Sequence, residues 1–398
     1  MKILVVNSGS SSLKFDVFEL DSGSEQSLFK GLVEDIGGES PRISYKNGGK
    51  KTKPFAIEAP DHTVALDSAI KIVQENLTPD GKFVPDAIGH RVVHGGQQFK
   101  SMKVDEDIIS VIEKNSELAP LHNPPNLLGI RACIELFPET PNVAVFDTAF
   151  HHSMPDVARQ YALPKELTEK YEIYRYGFHG TSHRFVAHKC AEFIGRDVEK
   201  MNIITCHLGN GASLTAVKNG KSIDTTMGFT PLEGVMMGTR TGDIDPGVVF
   251  FLMEKEGLSC DEINTLLNKK SGMLGVSGIS NDIRPVEEAM EKGDKSAQFA
   301  VDIYAYKIKR SIGSLAAALN GVDAIVFTAG IGENDDIVRK TVCSGMEYLG
   351  VKLDEERNAG RKGECTLISA DDSKCTVVVI PTDEELAIAR DTLAVLKG

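Results

Sequence analysis

The sequence predicts a mixed α/β protein built from two related halves. Residues 3–18 consist of an apolar strand, a Gly/Ser loop and a second strand with alternating apolar positions, which is the pattern of a β-hairpin. The same order returns at 203–217, where a shift of 200 residues places Gly209 on Gly9, with one residue of slippage after the turn. This repeat favours two related halves, and chance similarity between two hairpins is the alternative.

The composition narrows the class of protein. A chain of 398 residues with 41% hydrophobic content is long enough for two or three domains, each with its own core. The charge is acidic, with 44 Lys and Arg against 57 Asp and Glu, and no basic stripe suits a nucleic acid. No signal-peptide pattern and no run of ~18 apolar residues is present, so we expect a cytoplasmic protein without a membrane partner.

The seven cysteines are odd in number and scattered along the chain, without a C-x-x-C pair. This pattern indicates neither a disulfide framework nor a zinc knuckle.

The turn of the first hairpin has the chemistry of an anion-binding concavity. It offers serine hydroxyls and backbone N–H groups of small residues, with Lys14 just beyond it. Asn7 adds an oxygen that could reach a hydrated cation. An ordinary serine-rich turn is the alternative for this stretch alone. Two such hairpins facing each other across a cleft would hold the phosphates of a nucleotide between two lobes.

Two charged residues stand at the ends of apolar strands in the first half. Arg91 follows the apolar residues 87–89 and precedes a glycine pair, and Asp147 ends the apolar strand 142–146. Side chains at the carboxyl ends of strands commonly face a binding site, and a carboxylate there is costly to bury without a purpose. A solvated charge at a strand end is the alternative for Arg91.

Histidines of the middle segment allow two interpretations. His151 and His152 are adjacent, and His179 and His183 have the i, i+4 spacing of zinc ligands. Gly180 stands where the metalloprotease motif needs Glu, which argues against zinc. We expect His179, before a helix capped by Thr181 or Ser182, to present its ring to a cleft, with a hydrogen-bonded structural histidine as the alternative.

The second half contains a long glycine-rich segment, residues 227–247, whose single arginine is Arg240. Loops of this length are usually functional or disordered, and Arg240 is placed where it could hold a phosphoryl group. Residues 324–334 predict a strand and a glycine turn that a flat ring could approach, before a helix that begins near Asp335. Thr382 to Glu385 has the form of a capping box, which leaves Glu384 free to face a cleft.

Two nucleotide motifs are excluded by their spacing. Gly220-Lys221-Ser222 resembles the end of a P-loop, but Thr215 stands at the position of the required first glycine. The glycine pairs at 209–211 and 330–332 both lack the third glycine of a dinucleotide fingerprint. The phosphates must therefore be held in another way.

Six motifs resemble the acetate kinase family, and the resemblance covers essentially the whole chain. They are Asn-Ser-Gly-Ser-Ser-Ser-Leu-Lys at 7–14, His-Arg-Val-Val-His-Gly-Gly at 90–96, Phe-Asp-Thr-Ala-Phe-His at 146–151, His-Leu-Gly-Asn-Gly at 207–211, Gly-Ile-Gly-Glu-Asn at 330–334 and Pro-Thr-Asp-Glu-Glu-Leu at 381–386. The resemblance implies an α/β fold of two lobes with duplicated ribonuclease H-like (actin-like ATPase) topology and an inter-lobe cleft. It also implies an N-terminal lobe of residues 1–150 plus 385–398 and a nucleotide-binding lobe of residues 151–384.

The activity that this resemblance implies is ATP + acetate ⇌ ADP + acetyl phosphate, by direct in-line transfer. Its co-substrates are ATP and ADP, its metal is Mg²⁺ with Mn²⁺ as a substitute, and its usual assembly is a homodimer. A propionate kinase, or another short-chain fatty acid kinase of the same family, is the alternative.

The resemblance also assigns roles to individual residues. Asn7 and Glu384 are similar to the magnesium-site residues, and the catalytic set comprises Arg91, Asp147, His179 and Arg240. Asp147 holds the position usually labelled the acid/base, yet acetate, with a pKa near ~4 like side-chain carboxyls, needs no general base at neutral pH. The nucleotide set comprises Lys14, His207, Leu208, Gly209, Asn210, Gly211, Asp282, Ile283, Arg284, Gly330, Ile331, Gly332, Glu333 and Asn334. The acetate-binding set comprises Arg91, Val93, Leu121, Phe178 and Pro231.

Overall fold

The chain divides into two units, each organised around its own β-sheet. The computed structural model describes residues 1–21, 24–79, 81–98, 100–120 and 122–398. Unit 1 comprises Met1–Ala149 and Asp383–Gly398, and unit 2 comprises Phe150–Thr382.

The strands come in two groups, one for each sheet. They are β1 (Lys2–Ser8), β2 (Ser12–Asp21), β3 (Ser24–Glu34), β4 (Arg42–Asn47), β5 (Lys50–Lys51), β6 (Phe55–Ala56), β7 (Ala87–Val92), β8 (Met102–Lys103) and β9 (Asn142–Phe146) in unit 1, and β10 (Asn202–Leu208), β11 (Ala212–Lys218), β12 (Lys221–Thr225), β13 (Ala324–Thr328), β14 (Thr366–Leu367) and β15 (Thr376–Val379) in unit 2.

The helices of the described residues connect and cover these strands. They are α1 (His62–Leu77), α2 (Glu106–Lys114), α3 (Asn123–Leu136), α4 (Asp156–Arg159), α5 (Lys165–Tyr171), α6 (Gly180–Phe193), α7 (Pro246–Glu256), α8 (Cys260–Lys269), α9 (Gly272–Ser277), α10 (Ile283–Glu291), α11 (Lys295–Leu319), α12 (Ala329–Asn334), α13 (Asp336–Cys343), α14 (Glu355–Asn358) and α15 (Glu384–Lys397). None of them is long and apolar enough to cross a membrane.

Both sheets share a central five-strand path. Unit 1 has the order β3-β2-β1-β7-β9, and unit 2 has the order β12-β11-β10-β13-β15. In each path, neighbouring strands among the first three are antiparallel. The third, fourth and fifth strands run parallel to one another. The duplicated topology that the sequence predicted is therefore confirmed.

The two hairpins differ by one residue in their turns. Ser8 pairs with Leu13 across the first turn, and Leu208 pairs with Ala212 across the second. Four residues, 9–12, therefore separate the last paired residues of the first hairpin, and three residues, 209–211, separate those of the second, which explains the slippage in the sequence repeat.

Alternation along β1 distributes apolar side chains to both faces of the first sheet. Leu4 and Val6 pack with residues of α1 and α3, whereas Ile3 and Val5 pack against α15. In unit 2, α6 packs on one face of the second sheet through a cluster that contains Ile203. Both units therefore bury a helix-covered central strand whose carboxyl end opens into a turn.

Candidate active site

Three predicted site residues of unit 1 lie where parallel strands end. Asn7 is next to the last residue of β1, Arg91 is next to the last residue of β7, and Asp147 directly follows β9. Val6 pairs with His90, and Arg91 pairs with Val145 on β9. The carboxyl ends of parallel strands meet at one edge of a sheet, where ligands commonly bind in α/β folds. This strand order brings Asn7, Arg91 and Asp147 to the same edge.

Arg91 and Asp147 form a bidentate ion pair. Arg91 Nε donates to Asp147 Oδ1 at 3.2 Å, and Nη2 donates to Oδ2 at 2.7 Å. Burial raises the pKa of Asp147, and the adjacent guanidinium opposes that rise. Burial by itself would lower the pKa of Arg91, but Asp147 and Glu384 raise it above its ordinary value. The arginine therefore stays charged, with its orientation fixed by a paired carboxylate.

Glu384 begins helix α15 and approaches the same arginine. Its Oε2 lies 3.9 Å from Arg91 Nε, and its side chain is partly exposed. Asn7 is also partly exposed, and its side chain makes no hydrogen bond to the described residues. Both therefore present oxygen atoms at this edge.

The N-terminus of α15 differs from the predicted capping box. Asp383, not Thr382, is the capping residue, and its side chain accepts from Leu386 N. Glu385 instead pairs with Lys14 and with Lys30. The explanation of Glu385 as a capping residue is wrong, because the helix begins one residue later than the motif suggested. Lys14, predicted to contact phosphate, is paired with Glu385 in this structure and is 42% exposed.

The predicted acetate-binding residues are divided between the units. Val93 of unit 1 is buried just beyond β7, and its backbone N–H donates to Asn126 Oδ1 at 3.1 Å. Phe178 is buried in unit 2, and Pro231 is partly exposed there. Leu121 lies outside the described residues.

His179 immediately precedes helix α6 and has a left-handed backbone conformation, with φ of 56°. Such a conformation is unfavourable for a residue with a side chain and persists only where neighbouring contacts hold it. His179 Nδ1 lies 2.8 Å from Ser213 Oγ, and its ring stacks on His207 with centroids 4.2 Å apart. The predicted capping by Thr181 or Ser182 is wrong, because the helix begins at Gly180 and includes both residues.

Arg240 is a partly buried cation without a carboxylate partner among the described residues. Its Nη1 donates to Pro231 O at 3.1 Å, and Met237 Sδ lies 3.9 Å away. Burial lowers the pKa of Arg240. A methyl group added at Gly211 would lie 3.7 Å from Arg240 Nη1 and 3.6 Å from His179 Nε2. Two nitrogen atoms therefore converge beside the turn of the second hairpin, where they suit an anion.

A cavity of about 540 Å³ in unit 2 adjoins the turn of the second hairpin. It brings together eight residues of the predicted nucleotide set, namely Gly209, Asn210, Asp282, Ile283, Arg284, Gly330, Ile331 and Asn334. Its size is within the range of small-molecule sites, and isoleucines and glycines give it surfaces against which a flat ring could lie. Asp282 also caps helix α10 and pairs with Arg284.

The remaining members of the nucleotide set do not line this cavity. His207 and Leu208 are buried at the end of β10. Glu333 folds back, and its Oε1 accepts from Ala329 N at 2.9 Å and from Thr382 N at 3.1 Å. Ala329 has a φ of 64°, so Glu333 supports a strained turn. The predicted glycine turn at this place is the short helix α12.

Four further residues with charged side chains line the cavity and were missed in the sequence analysis. They are Glu287, Asp335, Asp336 and Arg361. Glu287 follows Ile283 by four residues on α10, so helical spacing from the predicted 282–284 segment could have indicated it. Burial raises the pKa of Glu287 to about 8, and the neighbouring carboxylate of Asp335 adds to the rise.

The comparisons with known proteins agree with the motifs. The model of the acetokinase family matches residues 2–390. The chain belongs to the acetokinase family. The resemblance to this family that the motifs indicated is thereby confirmed.

Individual relatives are similar over their full length. An acetate kinase from Dictyoglomus turgidum is 53% identical, and the match covers 100% of this chain and 98% of that protein. A solved acetate kinase from Porphyromonas gingivalis has a TM-score of 0.91 at 45% identity, with 99% of each chain covered. A solved propionate kinase from Francisella tularensis also has a TM-score of 0.91, at 42% identity, with 99% of each chain covered. The family therefore includes members named for different short-chain acids.

Proposed function

We propose that this member of the acetokinase family transfers the γ-phosphoryl group of ATP to acetate and forms ADP and acetyl phosphate. The observation that carries the proposal is the environment of Arg240. A partly buried guanidinium whose partners among the described residues are a carbonyl and a thioether suits an anionic ligand. His179 Nε2 points to the same place beside Gly211.

The nucleotide half of the reaction is assigned to unit 2. The cavity beside Gly209 and Gly330 would take the nucleoside, with the phosphates directed toward the turn at 209–211. Charge spreads over the equatorial oxygens of phosphorus during transfer, and Arg240 and His179 would neutralise it. The role of Lys14 as a phosphate contact requires that it exchange its partner Glu385 for the ligand.

The acceptor half is assigned to unit 1. Arg91 would bind the carboxylate of acetate through the part of its guanidinium that Asp147 leaves available. Acetate is already ionised at neutral pH, so Asp147 need not remove a proton. We therefore assign Asp147 the task of orienting Arg91, so that one acetate oxygen is held in line with the phosphorus.

The oxygen atoms of Asn7 and Glu384 fit a magnesium ion that accompanies the nucleotide. Mg²⁺ prefers hard oxygen ligands and is usually held by one or two protein groups together with phosphates and water. Among the described residues, no cluster of three or more His, Cys, Asp or Glu side chains could hold a metal. Bound Mg²⁺ or Mn²⁺ would supply positive charge to the phosphates, and Asn7 and Glu384 would hold it.

An assay of ADP release with and without acetate tests the proposal. We expect release that depends on acetate, with a low rate in its absence. Acetate-independent ATP hydrolysis at the same rate would contradict it. Propionate is the second acceptor to test, since a solved propionate kinase shares the fold at 42% identity.

We also propose that the chain works as a homodimer in the cytoplasm. Helix α7 has no buried residue, and it exposes Val248, Phe250 and Phe251. Several large apolar side chains exposed on one helix commonly mark a protein interface. Light scattering after size exclusion should give twice the chain mass, and the pair F250E/F251E should give the monomer. A monomeric native protein would contradict this proposal.

A further inference from the structure

A series of buried side chains leads away from His179 inside unit 2. Ser213 Oγ lies 2.8 Å from His179 Nδ1 and 2.7 Å from His183 Nε2. His183 Nδ1 in turn lies 2.7 Å from Thr205 Oγ1. Ser213, His183 and Thr205 are fully buried. Because each hydroxyl has one proton to donate, the direction of every hydrogen bond follows once one of them is fixed.

Thr205 fixes the direction of the series. Its hydroxyl can donate either to His183 Nδ1 at 2.7 Å or to Thr215 O at 3.5 Å. The longer distance is beyond the usual range of a hydroxyl hydrogen bond, whereas the shorter one is near its optimum. Thr205 therefore donates to His183 Nδ1, and that nitrogen has no proton.

The remaining protons follow in order. Full burial, with His151 and His207 nearby, lowers the pKa of His183 well below its ordinary value, so its ring is neutral. Its single proton must lie on Nε2 and be donated to Ser213 Oγ. Ser213 then donates its own proton to His179 Nδ1. A neutral His179 must consequently carry its proton on Nε2, the nitrogen that, like Arg240 Nη1, lies near Gly211.

We propose that Ser213 and His183 are positioning residues that hold His179 in the Nε2-protonated tautomer, so that it donates a hydrogen bond to the transferring phosphoryl group as a neutral imidazole. This inference rests on the proposed function. His179 can then stabilise the developing charge without first taking up a proton. The hydrogen bond from Ser213 also fixes the ring on a residue whose backbone is in the left-handed region.

Nitrogen NMR of the native protein, labelled with ¹⁵N at histidine and free of substrates, tests the tautomer directly. At about pH 8, above the ordinary histidine pKa of ~6.5, we expect a protonated Nε2 and an unprotonated Nδ1 for His179. The signals of His179 are identified by their absence in H179Q. A proton on Nδ1, alone or together with one on Nε2, would overturn the inference.

Ser222 offers a matched control for the same measurement. It is as buried as Ser213, and its Oγ lies 2.9 Å from Nδ1 of a different histidine, His151. We expect S213A to change the tautomer balance or mobility of His179, and S222A to leave it as in the native protein. Equal effects of the two substitutions on His179 would argue against a specific role for Ser213.

Kinetics distinguish positioning from general structural support. We expect S213A to lower kcat about 10-fold or more in the native background and to have little effect in the H179A background. Ser213 acts through His179, so its substitution should no longer matter once His179 is absent. The KM for acetate should change little. Equal losses of kcat in both backgrounds would overturn the inference. If the enzyme shows no acetate-dependent turnover, the proposed function fails, and the NMR result still decides the tautomer.

Discussion

Arg91 and Asp147 are joined by three hydrogen bonds, two from Nε and one from Nη2, so this arginine is already paired before any substrate binds. Arg240 differs, because among the described residues it has no carboxylate partner. A paired arginine is held rigidly and can orient a ligand, whereas a partly buried arginine without an anionic partner gains more from binding one. The two arginines are therefore suited to different tasks.

Replacing Asp147 by Asn should show whether Asp147 orients Arg91 or acts as a general base. D147N keeps the size of the side chain but removes the charge that holds Arg91. We expect kcat/KM for acetate to fall about 100-fold, as for loss of a buried partner worth ~3 kcal/mol.

The shape of the pH profile is the decisive measurement for Asp147. If the carboxylate only orients Arg91, the native enzyme and D147N should show the same dependence of kcat/KM on pH between about 6 and 9, since acetate is ionised throughout. A limb that is present in the native enzyme and lost in D147N would indicate proton transfer by Asp147.

Removing Arg240 should affect turnover more than nucleotide binding. We expect R240A to lower kcat at least ~10²-fold with a smaller change in KM for ATP, because its contact is made mainly in the transition state. R240K should recover part of the loss, since it keeps the charge without the planar fork. Steady-state kinetics with saturating acetate measure both constants.

Arg196 provides the control for this experiment. It forms an exposed ion pair with Asp323 at 3.0 Å in unit 2. R196A should keep native turnover, because exposed ion pairs contribute little. Unchanged turnover in R240A would remove Arg240 from the mechanism.

Most of the fold could be predicted because its signals are local. The alternation along β1 and β2 and the repeat at 203–217 lie within short segments, and both are observed, as the hairpins β1–β2 and β10–β11. Patterns of this kind depend on neighbours in sequence, so tertiary structure did not override them.

The wrong predictions concern helix starts and side-chain partners that are determined by tertiary contacts. His179 precedes α6 in a left-handed conformation held by contacts with Ser213 and His207, which no capping motif reveals. Glu385 fits a capping box in sequence, but its carboxylate forms ion pairs with Lys14 and Lys30 of neighbouring strands. Sequence motifs predicted which residues belong to the candidate site, whereas the ion pairs and hydrogen bonds between these residues required the coordinates.

The size of Val93 should influence which acid is preferred. This buried residue of unit 1 belongs to the predicted acetate-binding set, and V93A would leave space for one more methylene. One methylene is worth about 1 to 3 kcal/mol in an apolar site, so we expect the ratio of kcat/KM for propionate over acetate to rise about 10-fold or more. Competition between the two acids measures this ratio. An unchanged ratio would show that Val93 does not contact the alkyl end.

Glu287 should make nucleotide binding sensitive to pH. It lines the cavity of unit 2 together with Asp335, Asp336, Arg284 and Arg361. Its pKa is raised to about 8, so it is neutral below that pH and becomes charged above it. The new negative charge would repel the polyphosphate, and KM for ATP should therefore rise as the pH passes from 7 to 9.

The substitution E287Q removes the titrating group from the cavity. We expect its KM for ATP to stay nearly constant over the same range, with kcat little changed. E288Q, at an exposed position next to it, should behave like the native enzyme. Parallel pH curves for E287Q and the native enzyme would show that another group controls nucleotide affinity.

Asp16 should reduce stability at neutral pH. Its side chain is buried in unit 1, accepts from Ser27 Oγ at 2.6 Å and lies 3.5 Å from Lys30 Nζ. Burial raises its pKa to about 6, above the ordinary value of 3.8. The native state then binds the proton more tightly than the unfolded chain does, so stability decreases as the pH rises from about 4 to 6 and stays lower above that.

Asn at position 16 has no charge to bury, so D16N should lose this pH dependence. A shift of about 2 pKa units corresponds to ~3 kcal/mol. We expect the free energy of unfolding of D16N, relative to the native protein, to increase by about that amount between pH 4 and pH 7 in urea titrations. D67N, which changes a carboxylate in an exposed i, i+4 pair with Lys71, is the control and should show no such gain. If D16N and D67N gave the same pH dependence, burial of Asp16 would not be the cause, because only Asp16 is shielded from water.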